Sequence, residues 1–192
     1  FNSGLVGFPA QSVLEKTLAL YQRMHYRSER EYFEVFDEME QLWRSTAPAF
    51  INCAEDEIIG IPNTTTGMNY LAQGMPWTEG DNVVISELEF VSEYIAFQHL
   101  KEKYGFEIRI APREGFAVPA ENVVRLIDDR TRLVALSYVA FVNGYRHDMR
   151  EITAAAHAHG ARVAIDAIQA LGPLNVDVKA LDVDYLVAGS SK

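Results

Sequence analysis

From about residue 57, short apolar runs alternate along the chain with longer segments of mixed polarity. Each run predicts a β-strand, and because most runs are apolar almost throughout, both faces of the sheet should be covered. The runs are EIIGIP, NVVISEL, EIRIAP, RLVALSYVA, ARVAI and DYLVAG. The segments between them predict helices, and these are NTTTGMNYLAQGM, SEYIAFQHLKEKYG, PAENVVRLIDDRT and MREITAAAHAHG. This alternation predicts an α/β fold of three layers, with a mostly parallel central sheet between two layers of helices.

Residues 11–49 instead carry apolar side chains at helical spacing and predict two helices. Ser28 is the expected N-cap of the second helix, and Pro48 is expected just past its end. The apolar and aromatic residues at this spacing are Val13, Leu14, Leu18, Tyr21, Tyr32, Phe33, Phe36, Met39 and Trp43. We interpret the aromatic ones as core or subunit-interface residues rather than as a ligand-binding site. The pattern predicts an N-terminal helical segment, residues 1–50, ahead of the α/β region.

The charge balance narrows the classes of partner. The 192 residues include 17 Lys and Arg against 27 Asp and Glu, a formal net charge of -10. This argues against a nucleic-acid partner, because nucleic-acid binding requires basic patches. The single cysteine, Cys53, cannot form an internal disulfide and predicts a reducing, cytoplasmic location. No apolar run approaches the ~18 residues of a membrane span and the first residues lack a signal-peptide pattern, so we expect no membrane association.

Ligands of parallel α/β sheets bind at the carboxyl ends of the strands, so the residues that follow each run are candidates for chemistry. Thr64, Thr65 and Thr66 follow EIIGIP at a predicted helix N-terminus. Their hydroxyls, together with the N–H groups and the dipole of the helix, suit a phosphate. The alternative is that this stretch only caps the helix, since Thr is a common N-cap residue.

Four further strand ends carry distinctive side chains. Phe90 and Phe141 follow two of the runs, and each either approaches a planar ligand or belongs to the core or a turn. Asp166 ends ARVAI, where an acid is costly unless paired, and it fits a protonated ring nitrogen or a metal ion. No His or Cys cluster supports a metal. Lys192 follows DYLVAG and is a candidate amine nucleophile. With a phosphate-binding turn, these groups together describe one ligand, pyridoxal 5′-phosphate (PLP).

The segment SYVAFVNGYRHDMREITAAAHAHGARVAIDAIQALG, followed by DVKALDVDYLVAGSSK, resembles the class V aminotransferase family. The family includes cysteine desulfurases, selenocysteine lyases, isopenicillin N epimerase-like proteins and kynureninases, and its members are PLP-dependent enzymes of fold type I. The resemblance extends to FNSGLVGFPAQSVLE and to NTTTGMNYLA, and so covers nearly the whole chain. The spacing from Asp166 through Gln169 to Lys192 is its most specific part.

The resemblance implies a role for each matching residue. Lys192 would form the Schiff base with the cofactor and act as the catalytic residue, Asp166 would pair with the ring nitrogen, and Gln169 would bind the ring hydroxyl. The other implied cofactor-binding residues are Thr65 and Thr66 in the phosphate turn, Phe90 on the ring face and Ser191 beside the phosphate. Three positions depart from the family pattern: Phe90 and Ser191 stand where many members carry His, and Phe141 stands where desulfurases often carry Asn. No metal ligand is implied.

These departures favour the epimerase-like or lyase-like branch over a standard cysteine desulfurase. The resemblance implies an enzyme that acts on an amino acid by transamination, C–S bond cleavage or epimerisation, and that forms a homodimer. It also implies that residues 51–192 are the N-terminal portion of the PLP-binding large domain, with the rest of that domain and a small C-terminal domain beyond them. The alternatives are a cysteine desulfurase or selenocysteine lyase proper, a non-catalytic protein with this fold, and an α/β enzyme that binds another phosphorylated ligand.

Overall fold

The computed structural model describes residues 9–25 and 28–189. These residues form two units, and the boundary between them lies between Ile59 and Gly60. The first unit is helical, and the second contains the sheet. None of the helices within the described ranges is long and apolar enough to cross a membrane.

The helical unit consists of α1 (Gln11–His25), α2 (Glu29–Ile51) and a short 3₁₀ helix (Glu55–Glu57). Ser28 is the N-cap of α2, as predicted, and it forms a capping box in which the Glu31 carboxylate accepts a hydrogen bond from the Ser28 N–H at 3.0 Å. The prediction for Pro48 was wrong, because this residue lies inside the last turn of α2. The helix continues to a left-handed residue, Asn52, whose N–H donates to the Pro48 carbonyl.

Most apolar side chains of α1 and α2 are exposed in the single chain. The exposed aromatic ones are therefore not core residues, and their place in a subunit interface stays a prediction. Val35, Pro48 and Ile51 are buried residues of α2. In a pair of helices, each helix buries only one face against the other, so the side chains on its other faces remain in solvent. The exposed ones include Val13, Leu14, Leu18, Tyr21, Tyr32, Phe33, Phe36, Met39, Leu42 and Phe50.

The second unit is built on a five-stranded sheet whose adjacent strands all pair in parallel. The spatial order is β2-β1-β3-β4-β5. The strands are β1 (Asn82–Ser86), β2 (Glu107–Ala111), β3 (Thr131–Ser137), β4 (Arg162–Asp166) and β5 (Tyr185–Val187). The helices are α3 (Thr64–Gly74), α4 (Val91–Tyr104), α5 (Ala120–Val124), α6 (Met149–Ala158) and α7 (Val178–Leu181).

Alternate residues of each strand enter two separate cores, one on each face of the sheet. Val83 and Ile85 of β1 pack with residues of α3 and α4, whereas Val84 packs on the other face with residues of α5 and α6. Burying each such side chain stabilises the fold by roughly 1.5–3 kcal/mol. Because helices cover both faces, the predicted three-layer α/β fold with a parallel sheet is confirmed.

Two predicted elements differ from the structure. EIIGIP is not a strand: Ile59 is 70% exposed, and Gly60 and Pro62 both disfavour a sheet interior. The helix predicted over PAENVVRLIDDRT covers only α5. Beyond it the Asp128 carboxylate accepts a hydrogen bond from the Arg130 N–H at 2.9 Å. Local bonds of this kind stabilise a turn and compete with continuation of the helix.

Candidate active site

The reversal of strand order beside β1 determines where a ligand can bind. β1 lies between β2 and β3, so the chain leaves β1 in one direction and returns past it to form β3. Such a reversal opens a crevice at the carboxyl ends of the two strands. β1 ends at Ser86 and β3 at Ser137, and β4 ends beside β3 at Asp166. We call the carboxyl ends of β1, β3 and β4, with the first turns of α3 and α4, the carboxyl edge.

The first turn of α3 brings hydroxyls and backbone N–H groups to this edge. Asn63, rather than a threonine, is the N-cap, and its side-chain oxygen accepts from the Thr66 N–H at 2.8 Å and from the Thr66 hydroxyl at 3.1 Å. The Thr65 hydroxyl donates to the Ser92 hydroxyl in the first turn of α4, at 3.1 Å. The start of a helix also carries N–H groups without intrahelical partners and the positive end of the dipole. The donor set therefore fits an anion.

A glycine allows α3 to pack closely on β5. A Cβ atom at Gly67 would lie 2.6 Å from Val187 Cγ1 and 2.6 Å from Ile61 Cδ1, which is closer than such atoms approach. Gly67 is buried in the interior of the unit. The absence of a side chain here sets the distance between the start of α3 and the last strand.

Two aromatic rings meet beside the crevice. Phe90, the N-cap residue of α4, and Phe141, in the loop after β3, have ring centroids 5.4 Å apart in an edge-to-face arrangement. Each residue is 42% exposed. Phe90 is therefore not a core residue, and a partly exposed aromatic ring at this place can contact a planar ligand.

Asp166 is the buried acid of the edge. It is 3% exposed, and its Oδ1 accepts a hydrogen bond from the Ile168 N–H at 2.7 Å. Ala164, two residues earlier, belongs to the core on the α3 and α4 side, so the Asp166 side chain lies on that same face. Gln169 lies half-buried in the turn that follows. Ser191 and Lys192, the other two predicted cofactor-binding residues, lie outside the described residues.

Glu89 joins the ends of β1 and β3. Its Oε1 accepts from the Ser86 hydroxyl at 2.7 Å, and its Oε2 accepts from the Ser137 N–H at 2.7 Å and the Ser137 hydroxyl at 2.6 Å. Behind Ser137 lies the buried His147, whose Nδ1 is 2.8 Å from the Ser137 carbonyl oxygen. Because a carbonyl only accepts, Nδ1 carries the proton. Burial lowers the pKa of His147 although the Glu89 charge opposes it, so the ring is neutral near pH 7.

Glu93 is a second buried acid, and it was not among the residues predicted from the sequence. It is 1% exposed, and within the described ranges neither of its carboxyl oxygens has a hydrogen-bond partner. Burial is the main reason that its pKa is raised well above the ordinary value, and the neighbouring Glu89 and Asp166 carboxyls add to the shift. The dipole of α4 favours a carboxylate by only ~0.3–1 kcal/mol, which is less than the several kcal/mol that burial of an ion costs.

A sequence signal for Glu93 exists. Its spacing from Ala96, Phe97 and Leu100 is i, i+3, i+4 and i+7, which is the buried stripe of α4. An acid at an apolar position of such a stripe indicates a buried ionisable group. Ser92, Ser137 and His147 were also missed, and these residues have no comparable signal in the pattern.

The structure thus brings five of the seven predicted cofactor-binding residues to one edge of one sheet. They are Thr65, Thr66, Phe90, Asp166 and Gln169. The same edge combines an anion-type donor set, partly exposed aromatic rings and a buried carboxylate, which are the groups needed for a phosphate, a planar ring and a protonated ring nitrogen.

Comparison with known sequences decides the family. The sequence profile of the family described as aminotransferase class-V matches residues 9–192, nearly the entire chain. The chain belongs to the class V aminotransferase family. Cysteine desulfurases of Salmonella newport and Salmonella typhi are 37% identical to this class V chain over 156 residues, which is 78% of the chain and 38% of each relative. The chain therefore spans well under half the length of these curated relatives.

Solved structures show the same fold as this class V chain. The cysteine desulfurase CsdA of Escherichia coli superposes with a TM-score of 0.87 at 21% identity, over 98% of this chain and 49% of CsdA. A cystine C-S lyase in complex with cysteine persulfide superposes with a TM-score of 0.90 at 24% identity, over 100% of this chain and 53% of the lyase. A variant of that lyase, with glycine covalently linked to its PLP cofactor, gives a TM-score of 0.88 at 25% identity, over 100% and 52% of the two chains.

Proposed function

We propose that this chain is part of a PLP-dependent enzyme that acts on an amino acid, with Lys192 as the residue that holds the cofactor covalently. The observation that carries the proposal is the buried Asp166 on the same face of the sheet as the first turns of α3 and α4. The Asp166 carboxylate accepts a hydrogen bond from the Ile168 N–H, and a buried carboxylate at this place can also accept from a protonated ring nitrogen, whose positive charge it stabilises. Membership of the class V family supports this assignment.

Each residue of the edge has a distinct task in this proposal. Asp166 holds the proton at the ring nitrogen, and Gln169 binds the ring hydroxyl. Phe90 covers one face of the ring. The phosphate is bound by the start of α3 through Thr65 and Thr66, with Ser191 completing the set. The Thr65–Ser92 hydrogen bond at 3.1 Å supports this task, because it holds two hydroxyls together at the first turns of two helices.

When bound, PLP supplies an electron sink for the bonds to the α-carbon of an amino acid. The residues of this chain supply the proton transfers. The Lys192 amine, once released from the cofactor, is the base that takes the α-proton. Phe90 stands where many family members carry His, and a phenyl ring cannot accept a proton, so we assign the proton transfer to Lys192 alone.

A second candidate function is cysteine desulfurization. It is favoured by the 37% identity to proteins named cysteine desulfurase. The two candidates differ in their products: a desulfurase converts L-cysteine to alanine and transfers the sulfur to an enzyme thiol. Cys53 does not serve as that thiol in our proposal, because it precedes Lys192 in the sequence, whereas the catalytic cysteine of a desulfurase follows the lysine. Formation of alanine from L-cysteine would favour the desulfurase, and release of pyruvate or an epimerised amino acid would favour the lyase-like or epimerase-like reaction.

The 38% coverage of the relatives supports a larger architecture. We propose that residues 1–50 form an N-terminal helical segment and that residues 51–192 are the first portion of the PLP-binding large domain. The remainder of that domain and a small C-terminal domain would follow. The exposed aromatic residues of α2 support a homodimer in which this helix contributes to the interface, and the single Cys53 supports a cytoplasmic location.

The visible absorbance spectrum of the complete protein tests the proposal. Wild-type protein supplied with PLP should show an absorbance band of the bound cofactor that borohydride removes, with the cofactor then fixed to Lys192 in the peptide map. The Lys192→Ala variant should show no borohydride-stable attachment. A wild-type protein that stays colourless with added PLP would refute the cofactor assignment and leave only the fold.

A further inference from the structure

Three carboxyl groups meet at the carboxyl edge, and the proposed function uses only one of them. Asp166 ends β4, Glu89 follows β1, and Glu93 lies in the first turn of α4. Glu89 and Asp166 both lie close enough to Glu93 to influence its protonation. Ser137 is paired in register with Asp166 and donates two hydrogen bonds to Glu89, so it connects two of the three acids. The three groups are therefore one cluster.

The hydrogen bonds distinguish the three members. Glu89 accepts three hydrogen bonds, at 2.6–2.7 Å, from neutral donors. Asp166 accepts the Ile168 N–H at 2.7 Å. Glu93 receives no donor within the described part of the chain, although it is 1% exposed. A proton shared by the cluster is therefore most stable on Glu93.

Protonation also removes the cost of burying Glu93 as a charged group without a hydrogen-bond donor. A carboxylic acid has an O–H that can donate, and the acceptors beside it are Glu89 and Asp166. Asp166 lies on the face of the sheet that α3 and α4 cover, and Glu93 belongs to the buried stripe of α4 that packs on this face. Among the described residues, His147 is a further titratable group at this edge; it is neutral, and its Nδ1 proton is donated to the Ser137 carbonyl. It does not act as a counter-ion for Glu93.

We propose that Glu93 is protonated in the folded protein and is a positioning residue, which donates its hydrogen bond to Asp166 and so orients that carboxylate without adding a negative charge beside it. The part that concerns the cofactor rests on the proposed function. Asp166 then presents a single charge, held in place, to the ring nitrogen. The protonation of Glu93 itself depends only on the described side chains.

Two substitutions separate the roles of Glu93. Glu93→Gln keeps the shape and a neutral hydrogen-bond donor, and Glu93→Leu keeps an apolar side chain of similar volume without a donor. We expect the complete protein with Gln to bind PLP with a dissociation constant within about threefold of wild type. The Glu93→Leu variant should have a dissociation constant for PLP about tenfold higher than wild type, because one charge-assisted hydrogen bond to Asp166 is lost.

Infrared spectroscopy of the same proteins without PLP reports the proton directly. Wild-type protein at neutral pH should show the C=O absorption of a protonated carboxylic acid, and this absorption should be missing from both variants. The readout does not depend on activity or on the cofactor, and a mere packing role of Glu93 would not produce it.

The outcomes distinguish this inference from the proposed function. A protonated-acid absorption that both variants lose, with PLP binding retained by Gln and weakened by Leu, supports the inference. Equal PLP binding by both variants, or absence of the absorption in wild type, overturns it. If wild type binds no PLP at all, the proposed function fails, and with it the positioning role, whereas the infrared absorption still decides whether Glu93 is protonated.

Discussion

The two ends of the sheet both hold buried or half-buried acids, but the pKa values of these acids are shifted in opposite directions. At the end where β1 and β3 begin, which we call the amino edge (Asp81, Asn82, Asp128 and Thr131), the acids are paired. Arg109 and Asn82 donate to Asp128 at 2.8 Å and 3.0 Å, and chiefly the bond from Arg109 lowers the pKa of Asp128 to about 2. At the carboxyl edge, burial and two neighbouring acids instead raise the pKa of Glu93 well above its usual value.

Asp81, also at the amino edge, differs from Glu93 in the same way. Its burial alone would raise its pKa, yet the hydrogen bonds from Thr78 and the charge of Arg132, 2.9 Å away, outweigh that effect and the pKa is lowered. The polar groups of the amino edge thus satisfy one another and stabilise the fold. The carboxyl edge collects acids around Glu93, hydroxyls and exposed rings, an arrangement that a ligand with a cationic ring and an anionic group would complete.

The largest expected difference between the edges is in catalysis. Asp166→Asn in the complete protein should lower kcat by about 10²–10³-fold, because it removes the charge that we propose to hold the proton at the ring nitrogen. Asp128→Asn is the matched control at the amino edge, and it should leave kcat per folded molecule unchanged. Steady-state kinetics with PLP in excess measures both. Equal losses of kcat in the two variants would contradict the assignment of catalysis to the carboxyl edge and of stability to the amino edge.

A smaller effect, on stability, is expected from the glycine that sets the spacing of α3 and β5. Gly67→Ala should lower the free energy of unfolding by about 1–3 kcal/mol, since the new methyl group would overlap Val187. Gly74, the last residue of the same helix, has open space where a methyl group would lie, so Gly74→Ala should be neutral or slightly stabilising. Denaturant unfolding of the two variants provides the comparison. A Gly67→Ala protein as stable as wild type would show that the spacing is adjustable.

The amino edge should control the loss of stability in acid. The folded pKa of Asp128, about 2, lies below its usual value of 3.8, so its contribution is present above pH 3.8 and is lost as the pH falls toward 2. The side chain is 47% exposed, so solvent screening limits the contribution to about 0.5–1 kcal/mol. Asp128→Asn should flatten the stability profile between these pH values. An unchanged acid profile in the variant would contradict the pairing with Arg109.

The smallest expected effect concerns the ring pair at the carboxyl edge. Phe90 and Phe141 should be coupled by about 0.5–1 kcal/mol, the usual range for an edge-to-face pair. A double-mutant cycle with Phe90→Leu and Phe141→Leu measures this coupling in the free protein. Bound PLP should change the coupling energy if Phe90 covers the ring. An unchanged value would argue that Phe90 does not contact the cofactor.

Strand–helix alternation was enough to predict the layers and the parallel sheet, because burial on both faces leaves apolar runs in the sequence. It failed for EIIGIP. The apolar composition of this run led to the prediction of a strand, but Gly60 and Pro62 disfavour one, and the structure has none there. The positions of Asp166 and Phe90 followed from the rule that strand ends carry chemistry. Glu93 was not predicted, because a charged residue in a helix is normally solvated, although its position in the apolar stripe of α4 was a signal of burial. The pairing of Glu89 with Ser137 depends on strand order, which periodicity does not contain.

Amide hydrogen exchange with and without PLP tests the central claim most directly, namely that the ligand binds at the carboxyl edge and not at the amino edge. On addition of PLP to the complete protein, we predict slower exchange in peptides that cover residues 63–67, 86–93, 137–141 and 166–170. Peptides that cover residues 80–82 and 128–132, at the amino edge, should exchange at the same rate. Protection at the amino edge, or no protection at either edge, would contradict the account.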